Sequence, residues 1–391
     1  MTGQTTKWFK RGFDSVLSAV RVLLVPLVNF TAAYIVIRQS GQAIWGQFVD
    51  ALIFMSLASM FLGFGIKDYV LREASLNAGE LGGLVKSGIL VRSLILIPCI
   101  LIGALIFPVE YLGWLTCWLL AILIYNGIGP IVNFNRSYKR AIVAEVTFGG
   151  LLIACLLQAT PDFMGLTMAF ALAAIVRSAI LLVLFRKPLQ SGLAKFKWRL
   201  LSLGLPFLAM GFSGMLQSKT DLYLVAVLLG DEELAVYQVT INVFVYLQAL
   251  SGLVLLPFAK NLIRLPEKVI LKSSLKFALF GLLVLLLALP PIHWALNELY
   301  AFGLGAEIMF VGGLLVLPTF VYLPMVYLLI GKKREKFVLY INILGVISNL
   351  TVSYFLIIKL GIIGGLLGSM IVQWVMLACY LFTVVYKPYD R

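Results

Sequence analysis

The chain has 391 residues, 62% apolar and only 12% charged, with a formal net charge of +14. A soluble domain carries roughly 45–50% apolar and about 25% charged residues. No soluble fold of this size hides such an excess, so it must face lipid. The other counts exclude further classes: one histidine (His293), no CxxC among Cys99, Cys117, Cys155 and Cys379, and no complete P-loop around Gly331-Lys332-Lys333 leave neither a zinc site nor a nucleotide-binding loop.

In chain order the sequence predicts an all-α polytopic membrane protein with twelve apolar spans. They cover 16–38, 44–65, 87–109, 111–129, 141–159, 162–185, 200–229, 233–258, 274–292, 306–330, 337–358 and 362–384. The first run is too long for a cleavable signal, and eleven more follow. Alternate connections are basic. Lys7, Lys10 and Arg11 precede span 1, and the other basic connections run through Lys67–Lys86, Arg136–Arg140, Arg186–Arg199, Lys260–Lys276 and Lys332–Lys336 to Lys387 and Arg391. These segments hold 25 of the 31 cations, which places both termini in the cytoplasm by the positive-inside rule. Positive charge in so apolar a chain points to anionic lipid, not nucleic acid. Trp8, Phe9, Trp198, Tyr386 and Tyr389 fall at the inner edge, and Trp45, Tyr111, Trp114, Trp294 and Tyr300 near the outer edge, where amphipathic rings settle.

The longest basic connection, 186–199, divides six spans from six, giving bundles 1–190 and 191–391 that insert with the same topology as parallel repeats. Gly41-x-x-x-x-Gly46-x-Phe48 leads into span 2, and Gly230-x-x-x-x-Ala235-x-Tyr237 into span 8, at an offset of 189 residues. Two ordinary helical hairpins would show the same pattern.

Arg38-x-x-Gly41-x-x-x-Trp45-Gly46-x-Phe48, then Phe61-x-x-x-Gly65 and Leu71-Arg72-Glu73, resembles the first-half signature of the polysaccharide-export, O-antigen flippase (Wzx-type) family. Leu205-Pro206-Phe207, Asp221, Tyr237 and Leu256-Pro257 resemble its second half. The family belongs to a superfamily with the lipid II flippases and the multidrug (MATE) exporters. The resemblance implies two six-helix bundles around a central cavity and alternating access in the bacterial inner membrane. The implied cargo is an undecaprenyl-pyrophosphate-linked oligosaccharide, with polysaccharide polymerase machinery as a partner and no cofactor. Lipid II flippases usually carry fourteen spans, and this sequence predicts twelve.

Charges within spans are costly and mark candidate sites. The cations are Arg21, Arg92, Arg177 and Lys219; the acids are Asp50, Glu145 and Asp221. Arg92 lies one turn inside span 3 and can equally snorkel. Glu145 can pair with a cytoplasmic cation. Arg177 lies about 13 Å deep at 1.5 Å per residue. Arg21 precedes Pro26, a kinking residue on a helix that the resemblance places at the lumen. Span 7, some 45 Å long, must tilt or break, with Pro206 a candidate break. It carries Ser213, Gln217 and Asp221 at i, i+4, i+8, with Lys219 on the other side and so not paired with Asp221. Asp50 is a candidate partner for Lys219. Span 8 repeats the stripe with Gln238, Asn242 and Tyr246; interhelical hydrogen-bonding is the bland alternative. Arg21, Arg92, Arg177, Lys219, Gln217, Gln238 and Asn242 are therefore the substrate-binding candidates, and Asp50, Glu145 and Asp221 the coupling-ion candidates. Gly361, Gly364, Gly365 and Gly368 read as a helix-contact face, and Asp231-Glu232-Glu233 as an acidic helix start, not a metal site.

Four in-span cations against three acids favour an anionic cargo, hence a flippase. A drug or cation antiporter on the same architecture would need dominant carboxylates. A polymerase, ligase or glycosyltransferase would need a catalytic outer loop, and the longest, 293–305, offers only His293 and Glu298.

Overall fold

The computed structural model describes residues 2–158, 161–190, 192–255, 258, 262 and 265–386, with the side chains of 2–15, Asp68 and Ala78 aside. Leu256-Pro257, Lys260, Arg264, Lys387, Tyr389 and Arg391, and the side chains of Lys7, Trp8, Phe9, Lys10 and Arg11, lie outside that description. Among the described residues there is no strand, and twelve helices are long and apolar enough to cross a membrane. In hydrocarbon each backbone N–H and C=O must bond inside its own segment, and a helix does this for every residue. The protein is a multi-pass, all-helical membrane protein.

The helices are α1 (Thr2–Ser40), α2 (Gln42–Gly63), α3 (Ile66–Leu76), α4 (Leu81–Ile106), α5 (Val109–Phe134), α6 (Tyr138–Gln158), α7 (Phe163–Leu184), α8 (Arg186–Gln190), α9 (Arg199–Leu228), α10 (Asp231–Leu255), α11 (Glu267–Trp294), α12 (Ala306–Gly331), α13 (Glu335–Leu360) and α14 (Ile362–Tyr386). All but the short α3 and α8 are the spans expected from hydropathy. The eleven-residue α3 lies in a segment the sequence presents as a basic connection. Its apolar positions Ile66, Val70 and Ala74 recur every fourth residue and are buried in the same core as Leu181, Phe185 and Leu200. The sharp entry to α3 is made by Phe64 and Gly65, both left-handed, at φ 45° and 64°. α9 runs unbroken through Pro206, and α1 through Pro26. Pro206 lies seven residues beyond the start of α9, where it removes one backbone donor without ending the helix.

The chain divides into two compact units, Met1–Phe212 and Ser213–Arg391. The division falls inside α9, further along than the basic loop 186–199. The reason is the packing of the first part of α9. A Cβ on Gly204 would stand 2.4 Å from the Phe64 carbonyl oxygen, one on Gly211 would stand 2.4 Å from Met60 Cε, and Phe212 meets Phe61 at 5.3 Å between ring centroids.

In the first unit α5 packs on α4 and α7, and α1 on α6. The fully buried Phe48 lies 4.9 Å from Phe170 and 6.2 Å from Trp118, beside Trp45 at 5.7 Å. In the second unit α12 packs against α10, α11 and α14, and α13 against α14. Small residues permit these approaches, since lipid tails give apolar side chains no reason to leave them and association rests on close contact. Gly368 sits against Ser353, and Gly364 against the Leu356 carbonyl. At Gly312 of α12 an added Cβ would fall 1.9 Å from Cζ of Phe244 in α10. Gly312→Val is therefore expected to cost about 1–3 kcal/mol through overpacking, read as a lowered Tm in detergent. Adding Phe244→Ala to that variant should recover part of the loss; no recovery would show that the ring is not what Gly312 accommodates.

Candidate functional site

In the first unit three of the predicted charges converge. Arg21 of α1, Glu145 of α6 and Arg177 of α7 meet around Tyr125 of α5. Arg177 Nη1 donates to Glu145 Oε2 at 3.2 Å, and Tyr125 Oη donates to Glu145 Oε1 at 2.7 Å. Arg21 Nη2 donates to Tyr125 Oη at 3.3 Å, and its Nε stands 3.7 Å from Glu145 Oε1. The Arg177 guanidinium lies between two rings, 4.0 Å from the Tyr125 centroid and 4.4 Å from that of Phe148. Aromatic faces attract a desolvated cation.

The Glu145 side chain is 1% exposed, that of Arg177 9% and that of Arg21 14%. Among the described residues two guanidiniums thus face one carboxylate. A closed neutral pair would satisfy itself, and a net cation at this depth needs a further negative partner. Tyr125 is the member that sequence reasoning missed. Its signal was present: Tyr125-Asn126 is a polar pair inside an otherwise apolar stretch, and Asn126 Nδ2 donates to Ser59 Oγ at 3.2 Å.

Arg92 lies apart from this cluster. It is 2% exposed, its Nε bonds the Gly88 carbonyl of its own helix at 2.9 Å, and its Nη1 reaches the carbonyls of Leu62 and Gly63 at 3.1 and 3.3 Å. These are the last carbonyls of α2, which a helix leaves unpaired and which carry its negative dipole end. The side chain neither snorkels nor stands open to a ligand; it caps α2 and ties it to α4. Asp50, nine residues into α2, is exposed.

In the second unit Asp221 of α9 is 1% exposed, and its Oδ2 accepts the hydroxyl of Tyr237 from α10. Among the described residues its Oδ1 has no hydrogen-bond partner. Lys219 is half-buried and stands more than 4 Å from any described carboxylate, so it and Asp221 do not pair. Asp50 belongs to the first unit and Lys219 to the second. The stripe Ser213, Gln217 and Asp221 is buried within the second unit. The Gln217 carbonyl accepts from Asn349 Nδ2 at 3.1 Å, Asn349 Oδ1 accepts from Ser353 Oγ at 2.5 Å, and the Gln217 side chain packs on Gly345. That is interhelical bonding between α9 and α13. Gln238 is buried and Asn242 half-buried on α10. A second network not foreseen joins Tyr322 Oη to Gln373 Oε1 at 2.9 Å and to Thr319 Oγ1 at 3.3 Å, with the Tyr380 ring stacked at 5.0 Å.

The capping role of Arg92 is separable from ligand binding. Arg92→Met retains length and burial but strands the α2 carbonyls, at a cost of about 1–3 kcal/mol each. The expected result is a clear fall in Tm, larger than that of Arg21→Met measured alongside; equal values would remove the capping role.

No protein-family model matches the sequence, and no curated protein does. Solved structures do match. The chain is similar to the lipid II flippase MurJ in an inward closed conformation, with a TM-score of 0.68 at 14% identity over 94% of this chain and 87% of that one. It is similar to an outward-facing multidrug resistance MATE transporter of the MOP superfamily, with a TM-score of 0.64 at 15% identity over 95% of this chain and 94% of that one. An inward-facing MATE structure gives 0.62 at 14% identity over 93% and 96%. At these identities the likeness establishes architecture, and this chain is built on the helical fold that MurJ and the MATE transporters of the MOP superfamily share.

Proposed function

We propose that the protein is a transporter that moves a polyprenyl-pyrophosphate-linked oligosaccharide from the cytoplasmic to the outer leaflet of a bacterial inner membrane. It would do so by alternating access, with both termini cytoplasmic, and serve surface polysaccharide synthesis of the O-antigen type beside the polymerase machinery. The observation that carries this reading is the two-to-one excess of guanidinium over carboxylate in the Arg21–Tyr125–Glu145–Arg177 cluster, with Arg21 partly exposed. A pyrophosphate entering hydrocarbon must exchange its hydration for fixed positive charge, and paired N–H donors of arginine suit phosphate oxygens. The fold shared with a lipid II flippase supports the same class of cargo.

Lys219, half-buried on α9, is proposed as a second cationic contact, with Gln238 and Asn242 of α10 toward the sugars. Asp221 is proposed as the carrier of a coupling cation, because a carboxylate 1% exposed with one oxygen unbonded is costly as a bare anion. Glu145 and Asp50 are the remaining candidates. Asp221 and the MATE-type fold also favour a second reading, a drug or cation antiporter.

The test begins with deletion of the gene. Loss of surface glycan with accumulation of undecaprenyl-linked repeat units on the cytoplasmic leaflet is expected. Accumulation on the outer leaflet would indicate a polymerase or ligase, and unchanged glycan with new drug sensitivity would indicate the antiporter. Complementation with Arg21→Ala or Lys219→Ala should restore membrane insertion but leave export at least about tenfold below wild type, the equivalent of ~1.4 kcal/mol of lost stabilisation. Full export by both variants would remove the cationic-site mechanism.

A further inference from the structure

The two arginines of the first-unit cluster are held very differently, and the difference suggests how the site is emptied. Arg177 is enclosed: it donates one hydrogen bond of 3.2 Å to Glu145 Oε2 and lies between two rings, 4.0 and 4.4 Å from their centroids, with its Nε buried and unpartnered among the described residues. Arg21 is held by one long hydrogen bond of 3.3 Å to Tyr125 Oη and one ionic approach of 3.7 Å to Glu145 Oε1, with its centre 6.0 Å from the Tyr125 ring. A guanidinium has five N–H donors in a rigid fork, so most of those on Arg21 have no partner among the described residues.

We propose that Glu145 is the resident counter-anion of a phosphate site. In the empty protein it holds Arg21 through Tyr125, and an arriving phosphate takes Arg21 over from it. The inference rests on the reading of the cargo as anionic. Its physical basis is what remains after the exchange. When Arg21 turns to a phosphate, Tyr125 still donates to Glu145 Oε1 and Arg177 still bonds Oε2. No buried charge is stranded, so the exchange avoids the penalty that breaking an ordinary buried ion pair carries. In the reverse direction the waiting carboxylate draws Arg21 back and releases the phosphate. An arginine facing phosphate without such a competitor would bind tightly and let go slowly, and a transporter must let go. Glu145 is thus a residue that sets release, not one that touches cargo.

The proposal is tested on the full chain purified in detergent, with undecaprenyl pyrophosphate and inorganic pyrophosphate as probes and phosphatidylglycerol as competitor. Wild type should bind undecaprenyl pyrophosphate measurably, and Arg21→Ala should lose about tenfold or more in Kd. Glu145→Gln should bind about tenfold tighter, the equivalent of ~1.4 kcal/mol, while export in cells falls because release is slowed. Since Glu145→Gln also leaves Arg177 without its carboxylate and can impair folding, Tyr125→Phe is measured beside it. That variant keeps the ring against Arg177, the Arg177–Glu145 bond and the 3.7 Å ionic approach of Arg21 to Glu145, but removes the hydrogen bond that holds Arg21, and it too should bind tighter, by a few-fold. If wild type binds, Arg21→Ala does not, and neither Glu145→Gln nor Tyr125→Phe binds tighter, the exchange is wrong and the anionic cargo stands. If wild type binds neither probe, the anionic-cargo reading itself falls. Equal displacement by phosphatidylglycerol would leave the exchange standing and assign the phosphate to a lipid headgroup in place of the cargo.

Discussion

Hydrocarbon offers a polar group no partner, so every charge or amide within a span must find one inside the protein. That constraint organises the structure. Arg92 satisfies it with the last carbonyls of α2, and Asn349 with the Gln217 carbonyl. Glu145 satisfies it with two donors on two different helices. At the α2 end a cation meets carbonyl oxygens at the negative end of a helix, and the result is a fastening. Around Glu145 two guanidiniums share one carboxylate among the described residues.

The two units meet this constraint with different chemistry. Phe48 and Tyr237 stand 189 residues apart, each in the second turn of its helix and each fully buried. At the same offset Asp221 corresponds to Ala32, also fully buried. Phe48 packs among Trp45, Trp118 and Phe170, while Tyr237 spends its added hydroxyl on Asp221. A phenol in place of a phenyl ring is what a buried carboxylate on the neighbouring helix requires. Arg21 in turn corresponds to Met210, so the first unit has the arginine-rich cluster and the second an acid bonded to a phenol.

The spans were legible in the sequence because hydropathy over twenty residues is a strong signal and helix is the form that hydrocarbon permits. The in-span charges were legible too, as outliers, but their partners were not. The sequence shows Arg21, Glu145 and Arg177 at separations of 124 and 32 residues, with nothing to indicate that α1, α6 and α7 converge on Tyr125. Arg92 reads as a candidate ligand or a snorkelling end because the carbonyls it caps lie on another helix, thirty and twenty-nine residues away. The amphipathic α3 was hidden by its charges, since Lys67, Arg72 and Glu73 lower its mean hydropathy while Ile66, Val70 and Ala74 keep its buried face. The Gln217 stripe had a definite period, and the period alone could not say whether it faced a neighbouring helix or a ligand.

The strength of a buried contact is not by itself a measure of its functional weight. Arg177 is the more enclosed of the two, held by one carboxylate oxygen and two aromatic faces, with its Nε buried and without a hydrogen-bond partner among the described residues. Arg21 is weakly held, partly exposed and rich in unused donors, so an anion gains most by engaging it and strands least by detaching it. Glu145, shared between them, lets the fixed arginine carry the cost of burying the carboxylate while the loose one remains exchangeable. One oxygen of Glu145 takes Arg177 of α7, and the other takes the Tyr125 hydroxyl of α5 with Arg21 of α1 3.7 Å away, so four helices are joined through a single carboxylate.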